Sequence, residues 1–481
     1  MSADIRFGTD GWRAVIGDDF TYANLRRVAD AAGRIFAEDS PGGLVLVGYD
    51  TRFEAGSFAR AAAEVLAMHG LRVRVSDRYL PTPALCWSVG HTREAVGGVM
   101  LTASHNPAPY LGFKLRMADG GASPESFTDR VEAALEDEPP SVPSAGAPAA
   151  SNGAGTTSGG AAAYETVDLV GPYLEGLKAF VDADLIRSAG LRVAVDPLYG
   201  AGQTYLAETL RSFGIEVTEI HAERNPGFGG LHPEPIPPHI DEVRALVKRN
   251  GLDAAFITDG DADRIGAADR TGAFVNPHRI IALVTRHLVE DRDMTGRVVK
   301  TLSTSVLVDR LCAHLGLEVT TTPVGFKWIY EEMVKGGVLI GGEESGGIGI
   351  PEHVRERDGL LMALLLAEMM GQRGMGLGEL VDELIATTGP MEYGRVDLKL
   401  DAPTVAAFVA KMPTLSPDTL GGLEVREVLR IDGIKLLMPD DAWLLMRTSG
   451  TEPLVRIYAE APTAGVVDDL LADGRALVTG A

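Results

Sequence analysis

The sequence predicts an α/β protein with mostly buried strands, since one short pattern returns several times along the chain. Each copy is an apolar run of strand length followed by a loop that contains Gly or Asp. Segments with the apolar periodicity of helices separate the copies, for example residues 57–68 and 240–248. Strand and helix signals that alternate in this way are typical of sheets covered by helices. The copies are residues 44–52, 98–107, 193–202, 254–264 and 337–347.

The copies lie far apart, which favours several related α/β domains over a solenoid. In such domains ligands collect at the carboxyl ends of the strands. A segment rich in Pro, Ala, Gly and Ser buries too little apolar surface to offset its ordering entropy, so we expect a flexible insertion there. The predicted order is an α/β domain at 1–137, the insertion at 138–163, α/β domains at 164–273 and 274–389, and a shorter, strand-rich domain at 390–481.

Composition narrows the class of protein. The 481 residues are 45% hydrophobic and 23% charged, which is an ordinary balance for several globular domains. The net charge of −23 argues against nucleic-acid binding, which needs clustered Lys and Arg. The longest apolar stretch, residues 360–367, is too short to span a bilayer and predicts a buried helix. The sequence shows no secretory signal pattern. Its two cysteines, Cys86 and Cys312, do not have the spacing of a metal site, so we expect a cytoplasmic protein and no membrane contact.

The hexapeptide TASHNP at residues 102–107 follows an apolar run and places Ser104 on a loop at a strand's carboxyl end. His105 beside it can relay a proton or steady a charge. Pro107 restricts the backbone, so the loop is stiffer than a Gly/Ser linker. Ser104 is therefore a candidate nucleophile, although a Ser-His pair on a turn is also found in plain surface loops.

A second loop, TDGDADR at residues 258–264, also follows an apolar run. Its carboxylates Asp259, Asp261 and Asp263 occupy alternate positions and offer an oxygen-rich site for a hard divalent cation such as Mg²⁺. Arg264 adds a fixed positive charge that suits a phosphoryl group. The same residue types occur in ordinary acidic turns, which is the alternative.

Basic residues recur inside or beside these loops, where they would concentrate cations locally in an acidic chain. RTSGTEP at residues 447–453 can form a concave anion site from the backbone N–H groups around Ser449, Gly450 and Thr451. A Gly-centred hairpin turn is the alternative there. The basic residues at strand-to-loop junctions are Arg13, Arg52, Lys114, Arg264, Lys327, Arg357, Arg447 and Arg456.

TASHNP, TDGDADR, GEES at residues 342–345 and RTSGTEP together resemble the α-D-phosphohexomutases, and FGTDGWR at 7–13 is similar to the amino-terminal motif of that family. The resemblance covers nearly the whole chain. It implies three related α/β domains with mixed sheets and a smaller α+β C-terminal domain around a central cleft. The closest likeness is to bacterial phosphoglucomutases and phosphomannomutases.

The resemblance also implies a mechanism. A phosphorylated Ser104, which also completes the Mg²⁺ site of the three Asp residues, gives its phosphoryl group to a hexose monophosphate. The resulting glucose 1,6-bisphosphate turns over and returns its other phosphate to the serine. By the same resemblance, Lys114, His105 and Arg13 stabilise charge or handle protons. Phosphate and sugar are bound by Glu343, Ser345, Lys327, Arg264, Arg447, Ser449, Gly450, Thr451 and Arg456.

The residue that accepts the proton of the sugar hydroxyl is open. Some relatives in this family carry a His two residues after the Ser of the sugar loop, and Gly347 holds that position here. Arg357 is the nearest substitute by position, although Arg is a strained choice of general base, and His353 is the reserve candidate.

Other functions remain as alternatives. A phosphomannomutase or dual-specificity mutase would use the same mechanism. A metal-dependent sugar phosphatase would use the carboxylates and cations but would leave TASHNP without a role, and a catalytically silent paralogue would normally lose the nucleophile or a metal ligand. We expect a monomer or homodimer that acts on a phosphorylated hexose.

Overall fold

The computed structural model describes residues 5–8, 10–141, 163–448 and 454–480. Most of the predicted insertion at 138–163, and the predicted phosphate-binding residues Ser449, Gly450 and Thr451, lie outside these described residues. Within them the predicted fold class is confirmed: three mixed sheets flanked by helices precede a smaller, antiparallel C-terminal sheet.

The first sheet has six strands in the order β1-β5-β4-β2-β3-β6. Its central strands are parallel, while β5 runs antiparallel to β4 and β1. The sheet and its helices consist of β1 Trp12–Val15, α1 Tyr22–Asp39, β2 Leu44–Tyr49, α2 Ala55–Met68, β3 Arg72–Ser76, α3 Thr82–His91, β4 Ala95–Leu101, β5 Tyr110–Met117, α4 Glu125–Ala133 and β6 Glu165–Val167.

Strand β6 pairs in parallel with β3 of the first sheet, although the sequence predicts that the second domain begins at residue 164. It is three residues long and carries no buried position. Because so short and exposed a strand has no apolar pattern, its sheet could not be predicted from the sequence.

The second sheet has the order β11-β10-β9-β7-β8 and follows the same plan, with β7 parallel to β8 and β9, and β10 antiparallel to β9. Its elements are α5 Val170–Phe180, α6 Ala183–Ser188, β7 Arg192–Asp196, α7 Tyr205–Ser212, β8 Glu216–Glu219, α8 Asp241–Asn250, β9 Ala254–Thr258, β10 Ile265–Asp269 and β11 Phe274–Val275.

The third sheet is smaller, with the order β13-β12-β14-β15 and an antiparallel edge at β15. Its elements are α9 Pro277–Arg286, β12 Arg297–Thr301, α10 Val306–Leu315, β13 Val319–Thr322, α11 Phe326–Lys335, β14 Val338–Gly342, β15 Ile348–Gly349, α12 Gly359–Arg373 and α13 Leu377–Thr388.

The C-terminal sheet, β16-β22-β21-β20-β19, is antiparallel throughout. Its elements, with the separate hairpin β17–β18, are β16 Glu392–Lys399, α14 Ala402–Lys411, β17 Thr419–Leu420, β18 Leu423–Glu424, β19 Glu427–Leu429, β20 Ile434–Leu437, β21 Trp443–Thr448, β22 Leu454–Ala461 and α15 Ala464–Thr479.

One hydrophobic core joins the first three sheets. It is continuous from Leu46 on β2 through Val193 on β7 to Ile281 on α9. Helix α12 passes through it, and residues 359–370 of that helix are all buried, as the apolar run at 360–367 predicts. Asp358 caps the helix by accepting a hydrogen bond from the backbone N–H of Leu361 at 2.9 Å. This core fixes the three sheets relative to one another.

The C-terminal domain has a core of its own and touches the third domain through a small cluster of Leu302, Trp443, Leu445 and Tyr458. Glu460 strengthens this contact, because its carboxylate accepts hydrogen bonds from the backbone N–H of Val306 at 2.9 Å and from Trp443 Nε1 at 2.7 Å. It also bonds the hydroxyl of Ser305, the N-cap of α10. None of the helices in the described ranges combines the length and the hydropathy that crossing a membrane requires.

Candidate active site

Ser104 lies three residues beyond the end of β4, as the sequence predicts. Its side chain is buried, and its backbone has φ of 51°, a left-handed conformation that is uncommon for a residue with a Cβ atom. The backbone N–H donates to Thr102 Oγ1 at 2.9 Å, and the side-chain Oγ donates to Asp259 Oδ2 at 3.1 Å. The tight turn therefore aims the hydroxyl of the first domain at the acidic loop of the second.

Arg52 stabilises the turn that carries Ser104. Its guanidinium is buried and donates to four backbone carbonyls, of Ser104 and Asn106 at 2.6 Å, Pro107 at 2.9 Å and Tyr110 at 3.0 Å. Asp50 Oδ2 accepts from Arg52 Nε at 3.1 Å. Burial raises the pKa of Asp50 to about 6, against the lowering effect of Arg52. The sequence predicts a basic residue after β2, but it does not reveal that this residue donates hydrogen bonds to the loop of Ser104.

Asp259, Asp261 and Asp263 follow β9 and are fully buried. Each offers a carboxylate oxygen, and these three oxygens lie within 4.8 Å of one another. The three residues are therefore the group among the described residues that can hold a metal ion. Asp261 Oδ1 and Asp263 Oδ1 are buried and accept no hydrogen bond. Buried, unpaired oxygens cost free energy unless a cation satisfies them, so these residues fit a hard divalent ion.

The pKa values of the three carboxylates differ in direction. Burial, then repulsion from Asp263 and Asp261, raises the pKa of Asp259, and burial raises that of Asp263. Burial alone would raise the pKa of Asp261 too, but Lys114 and a hydrogen bond from Thr82 lower it. Like charges packed this closely are stabilised when a cation lies between them.

Lys114 on β5 links the first domain to the acidic loop. Its buried ammonium lies 2.9 Å from Asp261 Oδ2 and 2.9 Å from Asp10 Oδ2. Thr82 Oγ1 donates to the same Asp261 oxygen at 2.6 Å. Asp10 and Thr82 were not singled out from the sequence, although Asp10 lies within the motif FGTDGWR, which could have identified it.

Arg357 is brought into the same cluster from the third domain. Its Nη2 lies 2.9 Å from Asp263 Oδ2 and 2.9 Å from Asp10 Oδ2, and its Nη1 lies 3.7 Å from Glu343 Oε2. A Cβ atom at Gly347 would lie 2.3 Å from Arg357 Cδ, so the guanidinium reaches its partners only because residue 347 has no side chain. Despite burial, the surrounding carboxylates hold the pKa of Arg357 well above its ordinary value.

Glu343 follows β14 and is buried beside Arg357. Burial raises the pKa of Glu343 to about 7, against the lowering effect of Arg357. Ser345, two residues on, is half-buried. The loop GEES therefore places a carboxylate beside the guanidinium that reaches Asp10 and Asp263.

Two other predicted residues flank the serine. Arg13 Nη1 donates to Asn106 Oδ1 at 2.6 Å. His105 Nδ1 is buried and has no hydrogen-bond partner among the described residues, and the ring lies 5.9 Å from that of His232. Burial, with repulsion from Arg264 and Arg13, lowers the pKa of His105 well below its ordinary value, so this ring is neutral at pH 7.

The reserve candidate His353 is held in a different environment. Its Nε2 hydrogen-bonds Asp358 Oδ2 at 3.2 Å, and the ring packs against Phe180 and Tyr173. Tyr173 donates its hydroxyl to the same Asp358 carboxylate at 3.0 Å. These contacts tie His353 to the cap of α12.

The remaining predicted cations lie farther out. Lys327 pairs with Glu125 of the first domain and lies over the ring of Trp328. In the C-terminal domain, Arg447 and Arg456 are directly opposite each other on β21 and β22.

Those two arginines have carboxylate neighbours. Arg447 Nη2 pairs with Asp432 at 3.1 Å, and Arg456 Nε lies 3.6 Å from Asp397. The loop between the two strands, with Ser449, Gly450 and Thr451, is outside the described residues.

The arrangement unites a buried serine hydroxyl, three metal-type carboxylates, and guanidinium and ammonium groups from the first three domains. A serine beside a metal-binding carboxylate cluster can accept and donate a phosphoryl group, and the cations can offset the charge of that group. Glu343 and Ser345 supply the acceptor and donor that a polyhydroxylated substrate needs.

Comparisons with known proteins match the chain along nearly its whole length. Four family models of phosphoglucomutase/phosphomannomutase match the chain: the alpha/beta/alpha domains I, II and III at residues 4–141, 171–272 and 276–388, and the C-terminal domain at 402–477.

Individual relatives match over nearly the whole chain. A phosphoglucomutase/phosphomannomutase of Thermococcus kodakarensis is 31% identical, with 95% of this chain and 94% of the relative covered. A phosphoglucosamine mutase of Frankia casuarinae is 34% identical with the same coverage. A crystal structure from Thermus thermophilus, whose name proposes a phosphomannomutase, superposes with a TM-score of 0.86 at 41% identity, covering 99% of this chain and 100% of that one.

Proposed function

Because the chain belongs to the phosphoglucomutase/phosphomannomutase family, whose members are mutases that transfer a phosphoryl group intramolecularly, we propose that it interconverts glucose 1-phosphate and glucose 6-phosphate through a phosphorylated Ser104. The observation that carries the proposal is the hydrogen bond from Ser104 Oγ to Asp259, which sets a buried nucleophile at the edge of the carboxylate cluster. A phosphatase that attacks with a metal-bound water would leave that serine without a role.

In the proposed reaction the bond between phosphorus and the Ser104 oxygen breaks while phosphorus bonds to the free hydroxyl oxygen of the sugar phosphate. The hydroxyl proton leaves, and the product is glucose 1,6-bisphosphate. After the bisphosphate turns over, Ser104 Oγ bonds to its other phosphorus while the bond between that phosphorus and the sugar oxygen breaks, and the sugar oxygen takes up the proton that Ser104 loses. Enzyme and phosphate are conserved in each cycle.

The cations support this transfer. Asp259, Asp261, Asp263 and Ser104 would hold Mg²⁺, which when bound offsets negative charge on the transferring group. Lys114 and Arg264 approach the carboxylates from two sides, at 2.9 Å from Asp261 and 3.8 Å from Asp263 respectively. Arg13 and His105 lie beside the serine loop, so they would orient the incoming hydroxyl and phosphate.

The sugar and the phosphate that is not reacting are assigned to residues other than the serine and the carboxylate cluster. Glu343 and Ser345 would bind vicinal sugar hydroxyls, and Lys327, Arg447 and Arg456 would bind the phosphate that is not reacting. Ser449, Gly450 and Thr451, outside the described residues, would complete that clamp. Glucose phosphate is the first candidate substrate, and phosphoglucosamine mutases are also among the relatives. A phosphomannomutase or dual-specificity mutase is the second candidate, since the T. kodakarensis relative carries both names.

Two observations bear on the group that accepts the hydroxyl proton. Arg357 is held protonated by its carboxylate neighbours and cannot accept one. Glu343 has a pKa of about 7 and belongs to the loop assigned to the sugar. A carboxylate with a pKa near the working pH can exchange a proton with a hydroxyl that it binds, so Glu343 is better suited to this role than Arg357.

The test compares turnover of glucose 1-phosphate, mannose 1-phosphate and glucosamine 1-phosphate, each with its bisphosphate activator and Mg²⁺. We expect glucose 1-phosphate to be preferred, and we expect Ser104→Ala to lower turnover by roughly 10⁴-fold or more. Ser88→Ala is the matched control, because Ser88 is also buried in the first domain but donates to the carbonyl of Leu169.

Three outcomes would count against the proposal. Isomerisation retained in Ser104→Ala would overturn the role of the serine. Release of inorganic phosphate in place of isomerisation would indicate a sugar phosphatase. A large preference for mannose or glucosamine phosphate would overturn the substrate and leave the mechanism intact.

A further inference from the structure

One face of the C-terminal sheet changes character along its length. At one end Trp443, Tyr458 and Glu460 pack against the third domain. Farther along the same strands, Asp397 of β16 lies directly opposite Arg456 of β22. Arg456 in turn lies directly opposite Arg447 of β21. Side chains two residues apart on a strand share a face, so Arg395 stands on this face beside Asp397. We call Arg395, Asp397, Arg447 and Arg456 the cationic face.

Arg395 is held on two sides. It donates to both carboxylate oxygens of Asp397, at 2.8 Å and 2.7 Å. Its Nη1 lies 3.6 Å from Oε1 of Glu234, a buried residue in the loop between β8 and α8 of the second domain. Burial alone would lower the pKa of Arg395, but the hydrogen bonds to Asp397 raise it above its ordinary value.

Glu234 faces a second guanidinium as well. Arg264, which follows the carboxylate cluster, brings Nη1 to 3.9 Å from the same Oε1 atom. One carboxylate oxygen therefore lies between a cation of the metal loop and a cation of the C-terminal face. Both distances exceed hydrogen-bond length, so neither contact is a strong one.

A phosphate monoester competes well for such a position. It carries nearly two negative charges and three acceptor oxygens, whereas the Glu234 carboxylate carries one charge and two oxygens, and guanidinium groups bind phosphate in a bidentate fashion. Arg395 is already oriented by Asp397, so little conformational freedom is lost when the phosphate arrives.

We infer that Arg395 is a further phosphate-binding residue of the cationic face, and that Glu234 is the carboxylate that the distal phosphate of the substrate displaces from it. The inference rests on the proposed function and adds two residues to the site. The signs of two substitutions follow: loss of the Arg395 cation weakens binding, and loss of the Glu234 charge strengthens it, because a competing and repelling anion has gone.

The experiment measures binding of glucose 6-phosphate by titration calorimetry to the full chain carrying Ser104→Ala, which prevents phosphoryl transfer. We expect Arg395→Gln to weaken binding by about tenfold or more and Arg395→Lys to weaken it less, since Lys keeps the charge but not the planar fork. Glu234→Gln is expected to strengthen binding by about threefold, and this gain is expected to vanish when Arg395→Gln is also present.

The matched control is Arg310→Gln. Arg310 also joins the C-terminal domain to its neighbour, with Nη2 at 2.8 Å from Asp441, but that contact lies away from the cationic face. In the chain with Ser104 intact, Arg395→Gln is expected to raise KM more than it lowers kcat, whereas Arg310→Gln changes neither. Thermal unfolding of each variant separates loss of binding from loss of folding.

Equal effects of Arg395→Gln and Arg310→Gln, or weaker binding in Glu234→Gln, would overturn the inference alone. The proposed function would still stand in that case if the unmodified chain turns over hexose phosphates. If the unmodified chain neither binds nor turns over any hexose phosphate, the proposed function falls, and the inference with it.

Discussion

Two regions of the molecule serve phosphate in the proposed reaction, and they are built differently. The first, which we call the nucleophile–metal centre, comprises Ser104, Lys114, Asp259, Asp261 and Asp263, all at most 1% exposed. The second is the cationic face, where the side chains of Arg395, Arg447 and Arg456 are 26%, 17% and 31% exposed.

The difference follows from how each region is anchored. The nucleophile–metal centre rests on sheets that share one hydrophobic core, so its atoms are fixed across domain boundaries. The cationic face belongs to a domain with a separate core and a small apolar contact to the third domain. Phosphoryl transfer needs fixed geometry, whereas a clamp for the distal phosphate has to accept a substrate in two orientations. The two regions match these different needs.

Of the substitutions that test this comparison, the one with the largest expected effect lies in the nucleophile–metal centre. Asp263→Asn removes a carboxylate from the metal cluster and one of the two carboxylates that lie 2.9 Å from Arg357 Nη2. We expect turnover to fall by roughly 10³-fold or more, because Mg²⁺ no longer offsets the charge of the transferring group. Steady-state kinetics and calorimetric Mg²⁺ titration check this. Asp253→Asn, a carboxylate of the same domain that bonds Arg192, is the control, and equal activity of the two variants would contradict the prediction.

A second substitution breaks the attachment of the cationic face. Glu460→Ala removes the acceptor for the backbone N–H of Val306 and for the buried indole N–H of Trp443. We expect a loss of about 3 kcal/mol and a separate, earlier unfolding transition of the C-terminal domain. Differential scanning calorimetry measures it, with Glu427→Ala on the same sheet as the control. A single transition at the original temperature would show that the attachment does not depend on this residue.

A third substitution separates activity from stability in the buried region. Burial raises the pKa of Glu343 from 4.5 to about 7, so the folded protein favours the protonated form and loses stability as pH rises between these two values. Gln mimics the neutral form. Glu343→Gln is therefore expected to gain about 3 kcal/mol over the original chain at pH 8 and much less at pH 5, while turnover falls.

Urea unfolding at the two pH values in metal-free buffer provides the measurement. Glu427→Gln, at an exposed carboxylate, is the control for the exchange of Glu for Gln. A stability gain of equal size at pH 5 and pH 8 would exclude the titration of Glu343 as its cause.

The smallest effect tests the packing of Arg357. A Cβ atom at Gly347 would lie 2.3 Å from Arg357 Cδ, so Gly347→Ala displaces that side chain from Asp263. We expect a cost of about 1–2 kcal/mol and a drop in turnover. Gly465→Ala is the control, because a Cβ atom there meets nothing within 4 Å. Unchanged activity in Gly347→Ala would mean that Arg357 can shift without consequence.

Much of the site could be predicted from local sequence, because loops after buried strands have recognisable patterns. The strands before Ser104 and Asp259 and the buried helix at 360–367 are confirmed in the structure. Asp10, Thr82 and Arg52 could not be assigned their contacts in this way. Each acts through a partner far along the chain, such as Asp261 for Thr82, and a carboxylate or hydroxyl in a loop looks the same with or without such a partner.

The sequence by itself determined the fold class, the order of the loops and the residue types available for phosphoryl transfer, since strand and helix patterns and loop chemistry are local properties. Only the tertiary structure decided which groups meet: that Arg357 reaches Asp263 through the space left by Gly347, and that Glu234 lies between Arg264 and Arg395. These contacts join different domains. Their geometry depends on how whole sheets pack, and no short stretch of sequence encodes that packing.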